Sequence, residues 1–142
     1  MNGQKITSWN ATGFRFNDIL QKSLETLQSS NLEVGTLMSG PQILIGHFDI
    51  KLDQKNDTLL DTYLNTANWG KGVAFVNDHN LGRYWPLIGP QLTLYVPAPY
   101  LKEGKNTLVL VELEYVPKNY SINFQTFPIL DYPSDKPQAN VI

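Results

Sequence analysis

From Pro41 onward, apolar and polar residues alternate along the chain. In residues 43–53 the even positions Leu44, Gly46, Phe48, Ile50 and Leu52 form an apolar or small face. The odd positions turn polar after Ile45, with His47, Asp49, Lys51 and Asp53. A period of two with one side apolar predicts a strand buried on one face and wet on the other. Residues 59–64 predict a shorter strand, and 72–77, apolar through the middle, a central one. Residues 91–96 set Leu92, Leu94 and Val96 against Thr93 and Tyr95. The longest run, 106–115, carries Val109, Val111, Leu113 and Tyr115 on one face. Its other face begins with Leu108 and Leu110 and ends in Glu112 and Glu114. A last strand passes through Ile122 and Phe124. Between strands, Asn77-Asp78-His79-Asn80 followed by Leu81-Gly82 reads as a hairpin turn, because Asn and Asp tolerate positive φ. The return strand then starts at Arg83 to Trp85 and stops at Pro86.

Strand signals separated by Gly, Pro and Asn predict an all-β fold, a sandwich or jelly roll, rather than α/β. One short N-terminal helix is expected, capped by Asn17 or Asp18 and running through Ile19, Leu20, Leu24 and Leu27. The expected organisation is an N-terminal segment 1–40 connecting to a preceding domain, a β-sandwich 41–128 and a polar tail 129–142. The length of 142 residues suits one domain with a real core.

Composition narrows the partners. Net charge is −2 and the eleven basic residues are scattered, which argues against a nucleic-acid surface. No stretch of eighteen apolar residues occurs, so no membrane span is expected. Cysteine is absent, which excludes disulfides and thiol chemistry within the chain. Three glycosylation acceptors stand beside predicted turns, at Asn10, Asn56 and Asn119. They point to a lysosomal or secreted route. Residues 1–9 lack the apolar core of a signal peptide, so the expectation is that the N-terminal part of the protein lies elsewhere.

A sugar hydrolase needs two carboxyl groups flanking the scissile bond. Glu112 and Glu114 share a strand face about 6.5 Å apart. They point the same way from one strand, and read as its solvated end, answered by Lys102 or Arg83. Asp49, Asp53, Asp57 and Asp61 are oxygen donors of the kind calcium takes, but without an EF-hand pattern they read as surface acids. His47 and His79 lack a metal-type partner nearby in sequence, and no serine stands in a nucleophile elbow. No cofactor and no metal are expected. Trp69, Tyr84, Trp85, Tyr95 and Tyr100 cluster near predicted loops. Such rings serve either sugar stacking or core and inter-domain packing.

Two motifs are distinctive: residues 69–77 (WGKGVAFVN) with 80–86 (NLGRYWP), and 89–97 (GPQLTLYVP), followed by Asn106-Thr107-Leu108-Val109 and Glu112-Leu113-Glu114. Together they closely resemble the C-terminal jelly-roll region of β-galactosidases of glycoside hydrolase family 35, including the animal lysosomal enzymes. The resemblance runs from Gly46 to Glu114, more loosely to Phe127, and is weak before Pro41. It implies a galactose-binding-domain-like fold beside a (β/α)₈ barrel that holds the catalytic glutamates, and it carries no catalytic residue onto this chain. One departure is Asp78, where the family usually has Gly, which puts the turn type in question.

The reading is a non-catalytic C-terminal β-domain of a β-galactosidase whose parent hydrolyses terminal β-D-galactosides with retention, bracing the catalytic barrel and helping to shape a homodimer of the parent. The alternative is a carbohydrate-binding module for a galactoside. Trp69, Asn77, Arg83, Tyr84 and Trp85 are the candidate carbohydrate-binding or domain-interface residues.

Overall fold

A computed structural model of the chain describes residues 7–8, 10–13, 41–53 and 57–131. The chain divides into two compact units, Met1–Gly35 and Thr36–Ile142. In the first, residues 7–8 and 10–13 are exposed and without regular structure. The helix expected through Leu20 and Leu24 lies outside the described residues.

The described part of the second unit is built from strands. They are β1 (Gln42–Ile50), β2 (Thr62–Asn65), β3 (Gly72–Val76), β4 (His79–Tyr84), β5 (Thr93–Val96), β6 (Gly104–Glu112) and β7 (Asn123–Gln125), with a 3₁₀ turn at Ala98–Tyr100. One sheet has the order β1-β6-β3-β4 and the other β5-β2-β7, all antiparallel. The pairs β3·β4, β2·β5 and β1·β6 nest inside one another along the chain while alternating between sheets. That is a long hairpin wrapped around a sandwich, the jelly-roll arrangement expected from the strand spacing.

Alternation decides what each sheet turns inward. Leu108 and Leu110 of β6, Ala74 and Val76 of β3, and Tyr84 of β4 meet Leu64 of β2 with Leu94 and Val96 of β5 in one core. Leu44, Phe48 and Ile50 of β1 pack against it, as the even-numbered face predicted. Phe48 and Phe124 join the sheets directly, their ring centroids 4.7 Å apart. Leu64, Val76 and Val96 are wholly excluded from water, and burial of such a side chain stabilises by about 1.5–3 kcal/mol.

Among the boundaries that differ from the sequence pattern, two shape the site. The β3–β4 turn takes two residues, Asn77 (φ 45°) and Asp78 (φ 70°), and His79 already pairs with Val76. Positive φ at both central positions is a type I′ turn, so Asp78 adopts the geometry that glycine usually supplies. The return strand therefore begins at His79 rather than Arg83. It carries a bulge opposite Ala74 and Phe75, where Gly82 has φ 106°. No atom would crowd a Cβ there, so the glycine serves the bend and not a close approach. At the far end, β6 stops at Glu112 instead of continuing to Tyr115.

Candidate functional site

Glu112 overturns the sequence expectation most plainly. It has no exposed surface, whereas the alternation predicts the wet end of a strand there. Its partners are neither Lys102 nor Arg83. Tyr84 Oη donates to Oε2 at 2.9 Å. The backbone N–H groups of Lys71 and Glu114 donate to Oε1 at 3.0 and 2.8 Å, and that of Tyr115 at 3.3 Å. All four partners are donors, the set an acceptor-only carboxylate needs. Burial, and then the charge and hydrogen bond of Glu112, push the Tyr84 phenol well above its ordinary value.

The cradle explains the Gly70-Lys71-Gly72 motif. A Cβ on Gly70 would stand 2.6 Å from Glu112 Oε1. One on Gly72 would run into the Val111 carbonyl oxygen and lie 2.7 Å from Tyr84 Oη. Both positions need glycine for space.

Glu114 does not share Glu112's setting. It lies beyond the strand and pairs with Lys71 Nζ at 2.6 Å, with both side chains about a third exposed. That same Nζ sits 4.7 Å from the Trp85 ring centroid, and the Arg83 guanidinium carbon is also 4.7 Å from it. Lys71, Arg83, Trp85 and Glu114 thus form one charged and aromatic group at the end of the β1-β6-β3-β4 sheet. Apart from the Trp85 ring, Arg83 has no partner among the described residues.

Beside this group, between β4 and β5, lies a pocket of about 410 Å³. Arg83, Tyr84, Trp85, Ile88, Gln91 and Thr66 are among the residues that line it. The Trp85 indole N–H is buried without an acceptor among the described residues. A second, apolar hollow of about 350 Å³ lies at the Phe48–Phe124 contact, lined also by Ile50, Leu52, Leu59 and Leu60.

The five candidate residues therefore separate. Arg83, Tyr84 and Trp85 share the pocket. Trp69 is a core residue, 3% exposed, whose indole N–H reaches the Ser121 carbonyl at 3.2 Å; it presents no face to a ligand. Asn77 is at the opposite end of β3, about 16 Å away along the strand. There its amide donates to the Tyr100 carbonyl at 2.8 Å and to Asn106 Oδ1 at 2.6 Å, and its Oδ1 accepts from Thr107 N–H at 2.9 Å. It ties the hairpin to the loop before β6.

Of the acidic series, Asp53 and Asp57 line one hollow together with Lys51. Asp61 accepts from the Tyr95 hydroxyl at 2.6 Å and the Ala98 N–H at 2.8 Å, and these two bonds hold its carboxyl below the usual range. Among the described residues no group of three or more His, Asp or Glu is placed to hold a metal ion. Of the glycosylation acceptors, Asn10 and Asn119 are exposed, while Asn56 lies outside the described residues. Sequence reasoning missed Lys71, Gln91 and the Glu112–Tyr84 bond; the paired glycines around Lys71 were the available signal.

Comparison with known proteins shows what the sandwich is similar to. Residues 43–106 match the family model described as the galactose-binding domain of β-galactosidase. From β1 to the start of β6 the sandwich is thus similar to that domain. Among relatives, the chain is 41% identical over 125 residues to Beta-galactosidase 17 of Arabidopsis thaliana, covering 80% of the chain and 17% of that protein. It is 51% identical over 73 residues to Beta-galactosidase 8 of rice, covering 51% of the chain and 10% of that protein. It is 42% identical over 78 residues to human Beta-galactosidase, covering 54% of the chain and 11% of that protein. The chain spans between 10% and 17% of the length of these three relatives.

Proposed function

We propose that this galactose-binding-type domain is a non-catalytic accessory module of a family 35 β-galactosidase, which packs on and braces the catalytic barrel. The parent hydrolyses terminal β-D-galactosides with retention, in a lysosomal or secreted setting that suits the exposed acceptors Asn10 and Asn119. The observation that carries the accessory role is the engagement of the adjacent glutamates. Glu112 is sealed among four donors and Glu114 is paired with Lys71. Neither flanks an open cleft as a glycosidase pair must. The apolar hollow beneath Leu60, itself 76% exposed, supports a packing role, since apolar surface of this kind marks an interface.

The test combines the chain with a β-galactosidase from which the matching segment has been deleted. The chain alone should not turn over a chromogenic β-galactoside. Adding it should restore thermal stability to the deleted enzyme, and Leu60→Asp should abolish the rescue. Turnover by the chain alone, lost in Glu114→Gln, would replace the accessory reading with an enzymatic one.

The pocket beside Trp85 favours a second reading, in which the domain also binds a galactoside. An aromatic ring with guanidinium, amide and hydroxyl groups around a concave space is the make-up of a small-ligand site.

A further inference from the structure

We infer that the pocket between β4 and β5 takes an acidic sugar, a pyranose carrying a carboxylate, with Arg83 as the residue that recognises the charge. This rests on reading the pocket as a ligand site and specifies what the ligand must be. The free donors on the walls belong to Arg83. Arg83 brings five N–H groups and no carboxylate or carbonyl answers them among the described residues. The Thr66 hydroxyl already donates to the Leu92 carbonyl at 3.0 Å, and the Gln91 amide to the Thr93 carbonyl at 2.5 Å. Those two side chains have already donated and keep acceptor oxygens for a sugar's hydroxyls, while Arg83 is the donor left for a charged substituent.

Charge points the same way. None of the residues lining the pocket is acidic. The nearby carboxylate of Glu114 is matched by Lys71, which leaves the Arg83 charge uncompensated. A planar guanidinium accepts a carboxylate through two parallel hydrogen bonds. Its contact with the Trp85 ring restrains the side chain, so less freedom is lost when the ligand arrives. The volume of about 410 Å³ accommodates one pyranose ring with room for a linked residue.

The experiment uses the intact chain, labelled for NMR, with galacturonate, galactose and acetate titrated separately while the Trp85 indole N–H and the Arg83 backbone amide are followed. Galacturonate and galactose differ at C6 alone, so the comparison isolates the carboxylate. Galacturonate should give a saturable shift that weakens as salt is raised, with galactose at least about tenfold weaker. Arg83 is exposed, so Arg83→Gln should fold normally and remove the preference. Equal binding of galactose and galacturonate would overturn the inference and leave the pocket as a neutral galactoside site. Equal shifts from acetate would overturn the sugar part. No shift from any of the three would overturn the ligand-site reading together with the inference.

Discussion

Replacing Glu112 by alanine tests whether the buried carboxylate holds the sheet end together. Three donors lie within 3.0 Å of its oxygens, the N–H groups of Lys71 and Glu114 and the hydroxyl of Tyr84. Each buried donor left without a partner costs about 1–3 kcal/mol, or roughly 3–9 kcal/mol for three. Water entering the vacated space recovers part of this, which leaves an expected loss of about 3–5 kcal/mol. A domain of this size holds about 5–15 kcal/mol in all. Urea unfolding followed by tryptophan fluorescence should therefore show the midpoint falling by roughly 2 M at unchanged slope. Glu112→Gln keeps a carbonyl acceptor for the backbone donors, and Tyr84 can accept from the new amide. Its expected cost is about 1–2 kcal/mol. A midpoint shift below about 0.5 M in the alanine variant would refute the argument. Equal losses in the two variants would show that the charge matters rather than the number of orphaned donors.

Further expectations follow from the same geometry. Gly72→Ala forces a methyl group onto the Val111 carbonyl and the Tyr84 hydroxyl, and should cost about 3 kcal/mol or more in the same assay. The Tyr84 phenol holds its proton more tightly in the folded chain than in the unfolded one. Its contribution is therefore complete below the ordinary phenol value of about 10 and is lost as pH rises above it; Tyr84→Phe should flatten that alkaline decline in thermal stability. Asp61 has the opposite sign. Its lowered value gives a contribution present above about pH 3.9 and lost as pH falls, so Asp61→Asn should flatten the acid limb. Asp78→Gly relieves positive φ at the hairpin and should raise stability by roughly 0.5 kcal/mol, read as a small increase in melting temperature.

The strands were legible because their causes are local. In β1 the even-numbered apolar face is set by the pleat, and the structure turns Leu44, Phe48 and Ile50 inward as the alternation requires. The Asn-Asp turn announced itself through residues that tolerate positive φ. Glu112 was illegible because its partners come from elsewhere in the chain. Two of its four donors belong to Lys71 and Tyr84, about forty and thirty positions earlier, and no pattern along 106–115 records them. The trace they leave is in the other strand, where two glycines flank Lys71 at the points where a Cβ would strike the cradle. The candidate site divided for a similar reason. Trp69, Asn77 and Trp85 are near neighbours in sequence, but β3 carries Asn77 to the far end of the sheet while Trp69 turns into the core. Aromatic content marks a region rich in contacts without saying which rings remain accessible.

The nested pairing has a consequence for the timing of synthesis. Gln42 pairs with Glu112 and Ile50 with Gly104, and β1 has no other neighbour among the described strands. At about 5–20 residues per second, roughly 3–14 s separate the emergence of β1 from that of its partner. During that interval the face made by Leu44, Phe48 and Ile50 waits beside the ribosome without the strand it pairs with. A message cut short before the codon for Gly104 would yield a chain with an outer strand lacking its neighbour and with orphaned donors at Lys71 and Tyr84. Quality control would meet such a product as an open sheet edge.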